Sequence, residues 1–217
     1  MRVVMAMISY TDDELDFVAE IFNIGVNKAA DSLGALVARE ISLSVPNLSL
    51  IQAIDLVSEL CMTTDSVCGV FKRITDPLES YAVILFPRQE SVKLVGYVVP
   101  PVMAAEDPEQ VYSDAITEIG NILIGACLGS IADTFGIAIN LDLPVIHIEH
   151  PSDFFLKSII IDDLCEYFLD IRISMAVDDT PLTFYWDFLL PDSAFGFLKH
   201  HMSRLTAATG DAEAPRR

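Results

Sequence analysis

Apolar residues recur three and four positions apart through the first third of the chain. Val18, Phe22, Val26, Ala29 and Leu33 fall on one side of a helix when successive residues turn by about 100°. The same periodicity predicts helices over 14–38 and 111–135, and shorter amphipathic helices over 88–98 and 192–205. Between them, segments 81–86, 155–161, 172–177 and 182–189 are rich in β-branched and aromatic residues and read as strands. Segments 39–46 and 137–144 alternate apolar and polar positions, as half-buried strands do. The paired prolines at 100 and 101 break regular structure, so 100–109 reads as a joint.

These elements come in two similar sets. Asp16, Glu20, Asn23 and Pro46 have counterparts in Asp114, Glu118, Asn121 and Pro144, each shifted by 98 residues (114−16, 118−20, 121−23, 144−46). Leu85-Phe86-Pro87 has a counterpart in Leu189-Leu190-Pro191 at an offset of 104, so the second copy carries a short insertion. A repeat of this size cannot easily bury both faces of its own sheet. The expected architecture is therefore an α/β (α+β) fold: a pseudo-twofold duplicated domain over 12–205, with repeats 12–99 and 110–205. The two halves share a central, mostly antiparallel sheet on which the long motif-bearing helices pack. Residues 206–217 have little to bury and are expected to be a disordered tail.

On each long helix the polar residues gather opposite the apolar stripe. Taking Asp16 as zero, Glu20 lies at about 40° and Asn23 at about 340°, and Asp114, Glu118 and Asn121 repeat those angles. Gly125 and Gly129 flank the second set and leave it little steric cover. Any amphipathic helix has a solvated polar face, and a single DxxxExxN would mean no more than that. In the second helix, however, the surroundings are Ile, Leu, Gly and Ala, and the same three polar groups persist in register there with the same downstream proline.

Composition narrows the chemistry. With 13 Lys and Arg against 32 Asp and Glu, the formal net charge is −19 across 217 residues, of which 52% are hydrophobic. That charge repels nucleic acid and anionic membrane surfaces, so neither is an expected partner. The first ten residues do not read as a signal peptide. The uncharged, strongly apolar stretch 119–132 is shorter than the roughly 20 residues that span a bilayer. Cys61, Cys68, Cys127 and Cys165 form no CxxC pair, so a reducing cytoplasm is the expected setting. His147, His150, His200 and His201 lack a fixed third ligand for a metal, and no serine or cysteine sits in a nucleophile motif.

The repeated DxxxExxN with its distant proline, together with Glu118-Ile-Gly-Asn-Ile122 and Glu20-Ile-Phe-Asn-Ile-Gly25, resembles the CheC, CheX and FliY phosphatases of bacterial chemotaxis. The resemblance covers about residues 12–205, and two motifs in one short chain are similar to CheC, whereas CheX-like chains carry one. It implies hydrolysis of the aspartyl phosphate of a CheY-like response regulator. Asn121 and Asn23 would orient the attacking water, and Glu118 and Glu20 would pair with the receiver's lysine. Mg²⁺ would arrive bound to the receiver, so no cofactor is expected on this chain. Asp16, Asp114, Pro46, Pro144 and Gly125 would support docking. A CheD-like protein is a further expected partner, and a homodimer is compatible with this reading. The alternative is a module that docks a receiver or a CheD-like partner without turnover. Family members usually carry Gly where this chain has Phe22 and Asn27, whereas Gly120 and Gly125 keep the pattern. The second site is therefore expected to be the more active one.

Overall fold

A computed structural model of the chain describes residues 11–77, 80–99, 107–155, 167–178, 180–182, 184–191 and 193–212. The first half runs α1 (Asp12–Val37), β1 (Ile41–Leu43), β2 (Asn47–Gln52), α2 (Ala53–Thr63), β3 (Val67–Asp76), β4 (Ser80–Pro87) and α3 (Arg88–Val98). The second runs α4 (Pro108–Phe135), β5 (Asn140–Leu141), β6 (Val145–Glu149), α5 (Pro151–Phe154), β7 (Tyr167–Val177), β8 (Thr180–Leu182), β9 (Phe184–Pro191) and α6 (Ser193–Ala212).

Helix ends follow their local chemistry. Thr11 and Glu14 form a reciprocal capping box at the start of α1, where Asp12, Asp13 and Glu14 also complement the helix dipole. The Thr11 backbone N–H, donating to the Glu14 carboxylate, is the main reason that carboxyl titrates below its usual range. α1 closes on Ala38 at φ 53° and α4 on Gly136 at φ 63°, so the first helix places a side chain in the left-handed region that its counterpart reserves for glycine. Pro108 opens α4, with Asp107 as the N-cap, so the joint expected over 100–109 ends earlier. Proline cannot continue a helix but suits its first turn, where no N–H partner is needed. Residues 100–106 lie outside the described residues.

Three other boundaries differ from the sequence pattern. α6 continues to Ala212, past the end expected at 205, while 213–217 lie outside the described residues. Phe155 closes the turn of α5 in right-handed helical geometry instead of opening a strand; 156–161 lie outside the described residues. α2 stands where only strands were expected, its Ala53, Leu56 and Leu60 buried at helical spacing.

All the strands join one antiparallel sheet in the order β1-β7-β9-β4-β3-β5, with β2 and β8 also on β7 and β6 also on β3. The first strands of each half thus pair with the long third-position strand of the other, and β4 meets β9 at the centre. There Ile84 pairs with Phe188, its own counterpart at the 104-residue offset (188−84). Alternation along β3 and β4 sends Cys68, Val70, Ala82, Ile84 and Phe86 to one face, beneath α1, α3, α4 and α6. Val67, Val83 and Leu85 face α2 and α5 on the other side. This mixed architecture, an antiparallel sheet with helices packed on it, agrees with the expected fold class. By length and composition α4 could cross a membrane, but half of its most apolar window is buried inside the protein, where it forms the centre of the larger core.

Candidate functional site

α1 and α4 lie side by side over the sheet. A methyl group added at Gly25 would fall 2.7 Å from Ser130 Oγ and 2.8 Å from Cys127 Cα, so glycine is what lets the two backbones meet. Ser130 Oγ donates to the Ile21 carbonyl at 2.9 Å and Lys28 pairs with Asp133 at 2.9 Å, fixing one helix against the other. The predicted stripe of Val18, Phe22, Val26, Ala29 and Leu33 is fully buried. That leaves the motif residues on the outer side: Asp16, Glu20, Asp114 and Glu118 are exposed, and Asn23 and Asn121 are half-buried.

The second motif has an open approach. Nothing lies within 4 Å of where a Cβ on Gly125 would point, and the same holds at Gly129. Asp114 accepts a hydrogen bond from Gln110 Nε2 at 2.8 Å. Gly120 sits directly over β3, where a Cβ would come within 2.6 Å of Val70. This close seating brings Lys72, two residues along the same strand face, to the motif: its Nζ donates to Asn121 Oδ1 at 2.7 Å. Burial holds the Lys72 ammonium below its ordinary range, while the nearby Glu118 carboxylate pulls in the opposite direction. Lys28, Lys93 and Lys199 each pair with a carboxylate. Among the described residues Lys72 makes no such ion pair and turns to an amide instead.

The first motif is built differently. Phe22 occupies the position of Gly120 and is wholly buried. Asn27 donates its Nδ2 to the Asn23 main-chain oxygen at 2.9 Å. Among the described residues the Asn23 carboxamide itself makes no hydrogen bond with the protein. Pro46 is buried between β1 and β2, and Pro144 half-buried between β5 and β6, so both sit in strand connections and not on the helical ridge.

Lys72 belongs to the site but lies outside the repeated motif. Its signal was a single cation on the core-facing side of β3, in line with Cys68, Val70 and Ile74, where alternation calls for an apolar residue. Elsewhere, His150 caps α5 through Ser152 and His147 packs edge-on to Phe71. Among the described residues no group of three or more His, Cys, Asp or Glu side chains could hold a metal ion. Burial pushes the Cys68 thiol up to about 11 and the Cys127 thiol to about 12, far from a reactive thiolate.

The fold is shared with FliY and FliM. FliY of Thermotoga maritima superposes with a TM-score of 0.73 at 18% identity, covering 91% of this chain and 99% of its own. FliM in the FliM–SpeE complex of H. pylori superposes with a TM-score of 0.67 at 5% identity, covering 90% and 97%. By sequence, the chain is 24% identical over 141 residues to the CheY-P phosphatase CheC of Bacillus subtilis (strain 168), spanning 64% of this chain and 68% of that protein. No family model matches. The chain is thus similar to CheC in sequence and to FliY in fold.

Proposed function

We propose that the chain hydrolyses the aspartyl phosphate of a CheY-like receiver domain in the cytoplasm, with Asn121 and Asn23 orienting the attacking water. The observation that carries this reading is the pairing, on one exposed ridge, of a carboxylate (Glu118) with a carboxamide (Asn121) beside an uncovered glycine (Gly125). The similarity to a protein named as a CheY-P phosphatase adds weight. An acyl phosphate is already activated, so the protein has mainly to place a water in line with the departing aspartyl oxygen. A carboxamide suits that task, because it can accept a hydrogen bond from the water and donate one to a phosphoryl oxygen.

Glu118 and Glu20, both exposed, are assigned to docking against the receiver's lysine. A charge pair of this kind steers and registers a partner. Mg²⁺ is supplied by the receiver in this account. Asp16, Asp114 and Gly125 shape the approach, and the repeats 12–99 and 110–205 each carry one site. Phe22 and Asn27 alter the first site, so Asn121 contributes more of the turnover than Asn23.

Phosphate release from excess phosphorylated receiver in Mg²⁺ tests the proposal. Many turnovers per chain are expected. Release that stops at one equivalent, or mere retention of the phosphorylated receiver, would identify a docking module instead.

A further inference from the structure

The second site differs from the first in more than its glycines. We infer that Lys72 is a positioning residue for Asn121, holding the carboxamide in a single orientation that the first site does not enforce. The inference rests on the phosphatase reading for its kinetic consequence, but not for the contact itself.

A carboxamide can turn end for end about its last torsion, exchanging acceptor for donor, and the two ends do different work. An ammonium has three donors and no acceptor, so the atom 2.7 Å from Lys72 Nζ must be the amide oxygen. With Oδ1 turned toward β3, Nδ2 is the end left to donate to a phosphoryl oxygen. Oδ1 keeps one lone pair for a water, since Lys72 takes only the other. The cation also draws electron density from the amide, which strengthens the outward N–H donors.

Three features of the surroundings support a dedicated role. Lys72, half-buried, lies on the face of β3 that otherwise carries Cys68, Val70 and Ile74 into the core, where a charge is costly unless it is hydrogen-bonded, and the Asn121 amide supplies that bond. Glu118 is close enough to favour the charged form without drawing the ammonium away from the amide. The first site has a different residue in this place. Lys72 faces Ala82 across β3 and β4, and Ile173 faces Trp186 across β7 and β9. Ala82 and Trp186 correspond at the 104-residue offset (186−82), so the place of Lys72 is taken by Ile173, which is buried. Among the described residues no cation hydrogen-bonds the Asn23 carboxamide.

The test uses the full chain carrying Asn23→Ala, so that turnover of phosphorylated CheY-like receiver reports on the second site. Lys72→Met is expected to lower kcat by about tenfold or more, with KM changed less than about twofold, because an off-axis water costs rate and not docking. Lys72→Arg, which keeps the charge and the donors, should recover part of that loss. In the free protein, the side-chain amide resonances of Asn121 should shift in Lys72→Met, and those of Asn23 should not. An unchanged or raised kcat in Lys72→Met, a rise in KM alone, or unmoved Asn121 amide resonances would each overturn the inference. If neither the wild-type nor the Asn23→Ala chain shows turnover while intact Asn121 still gives a Lys72-dependent amide signal, the phosphatase reading fails and the positioning role stands.

Discussion

Two glycines on one helix should respond to alanine with opposite signs. At Gly120 an added methyl would lie 2.6 Å from Val70 Cβ and Cγ1 and 2.7 Å from Cγ2. Packed carbons sit about 3.5–4.0 Å apart, so helix and strand must separate locally by about 1 Å. Val70 cannot yield easily: it is fully buried and, being β-branched, has few rotamers to choose from. Overpacking of this kind costs about 1–3 kcal/mol, and three simultaneous contacts argue for the upper end. The better helix propensity of alanine returns about 1 kcal/mol, leaving Gly120→Ala about 2 kcal/mol less stable than the parent. At Gly125 nothing lies within 4 Å, so the propensity gain of about 1 kcal/mol is kept. The two variants should therefore differ by about 3 kcal/mol, or roughly 6–12 °C in Tm for a domain of this size. Thermal and urea unfolding of the purified single variants measure this. Equal stability of the two would refute the close seating of α4 on β3, and a destabilised Gly125→Ala would refute the open space beside Gly125. Gly125→Ala should still lose activity toward a receiver despite its added stability, because the methyl stands on the proposed docking ridge.

Other consequences follow from the same geometry. Ala38→Gly should stabilise the fold by up to about 1 kcal/mol, since it relieves a side chain at φ 53°; an unchanged urea midpoint would contradict this. Thr11→Ala should cost about 1 kcal/mol by removing the α1 cap. Glu59 is held below the usual carboxylate range, first by hydrogen bonds from Arg172. A depressed pKa contributes stability that is present above about pH 4.3 and lost as pH falls through the folded value. The stability gap between wild type and Glu59→Gln should therefore narrow on acidification from pH 7 toward pH 3, and a gap that widened would show the sign to be wrong. In turnover assays Asn121→Ala should remove more activity than Asn23→Ala, and equal losses would overturn the ranking of the sites.

The long helices and the central strands were legible because their hydrophobic periods are strong. α3 matches its expected span at both ends, and the stripe of Val18, Phe22, Val26, Ala29 and Leu33 is buried as the helical spacing requires. Short elements were harder. β5 spans only Asn140–Leu141, too few residues to establish alternation, and α2 follows β2 without a break, so its helical spacing begins inside an apolar run. The exposure of Glu20 and Glu118 could be read from helix geometry alone. Lys72 could not be connected to Asn121 that way, because 49 residues separate them and only the seating of Gly120 on Val70 brings the strand to the helix. The unequal ends of α1 and α4 are likewise invisible in a periodicity, since they depend on one backbone angle at Ala38 and Gly136.

The most direct test of the account is phosphate release from a large excess of phosphorylated CheY-like receiver, comparing the wild-type chain with one carrying both Asn23→Ala and Asn121→Ala. The account predicts many turnovers for the wild type and release at the receiver's own rate for the double variant, with receiver binding retained through Glu20 and Glu118. Catalysed release that survives the loss of both amides would contradict it.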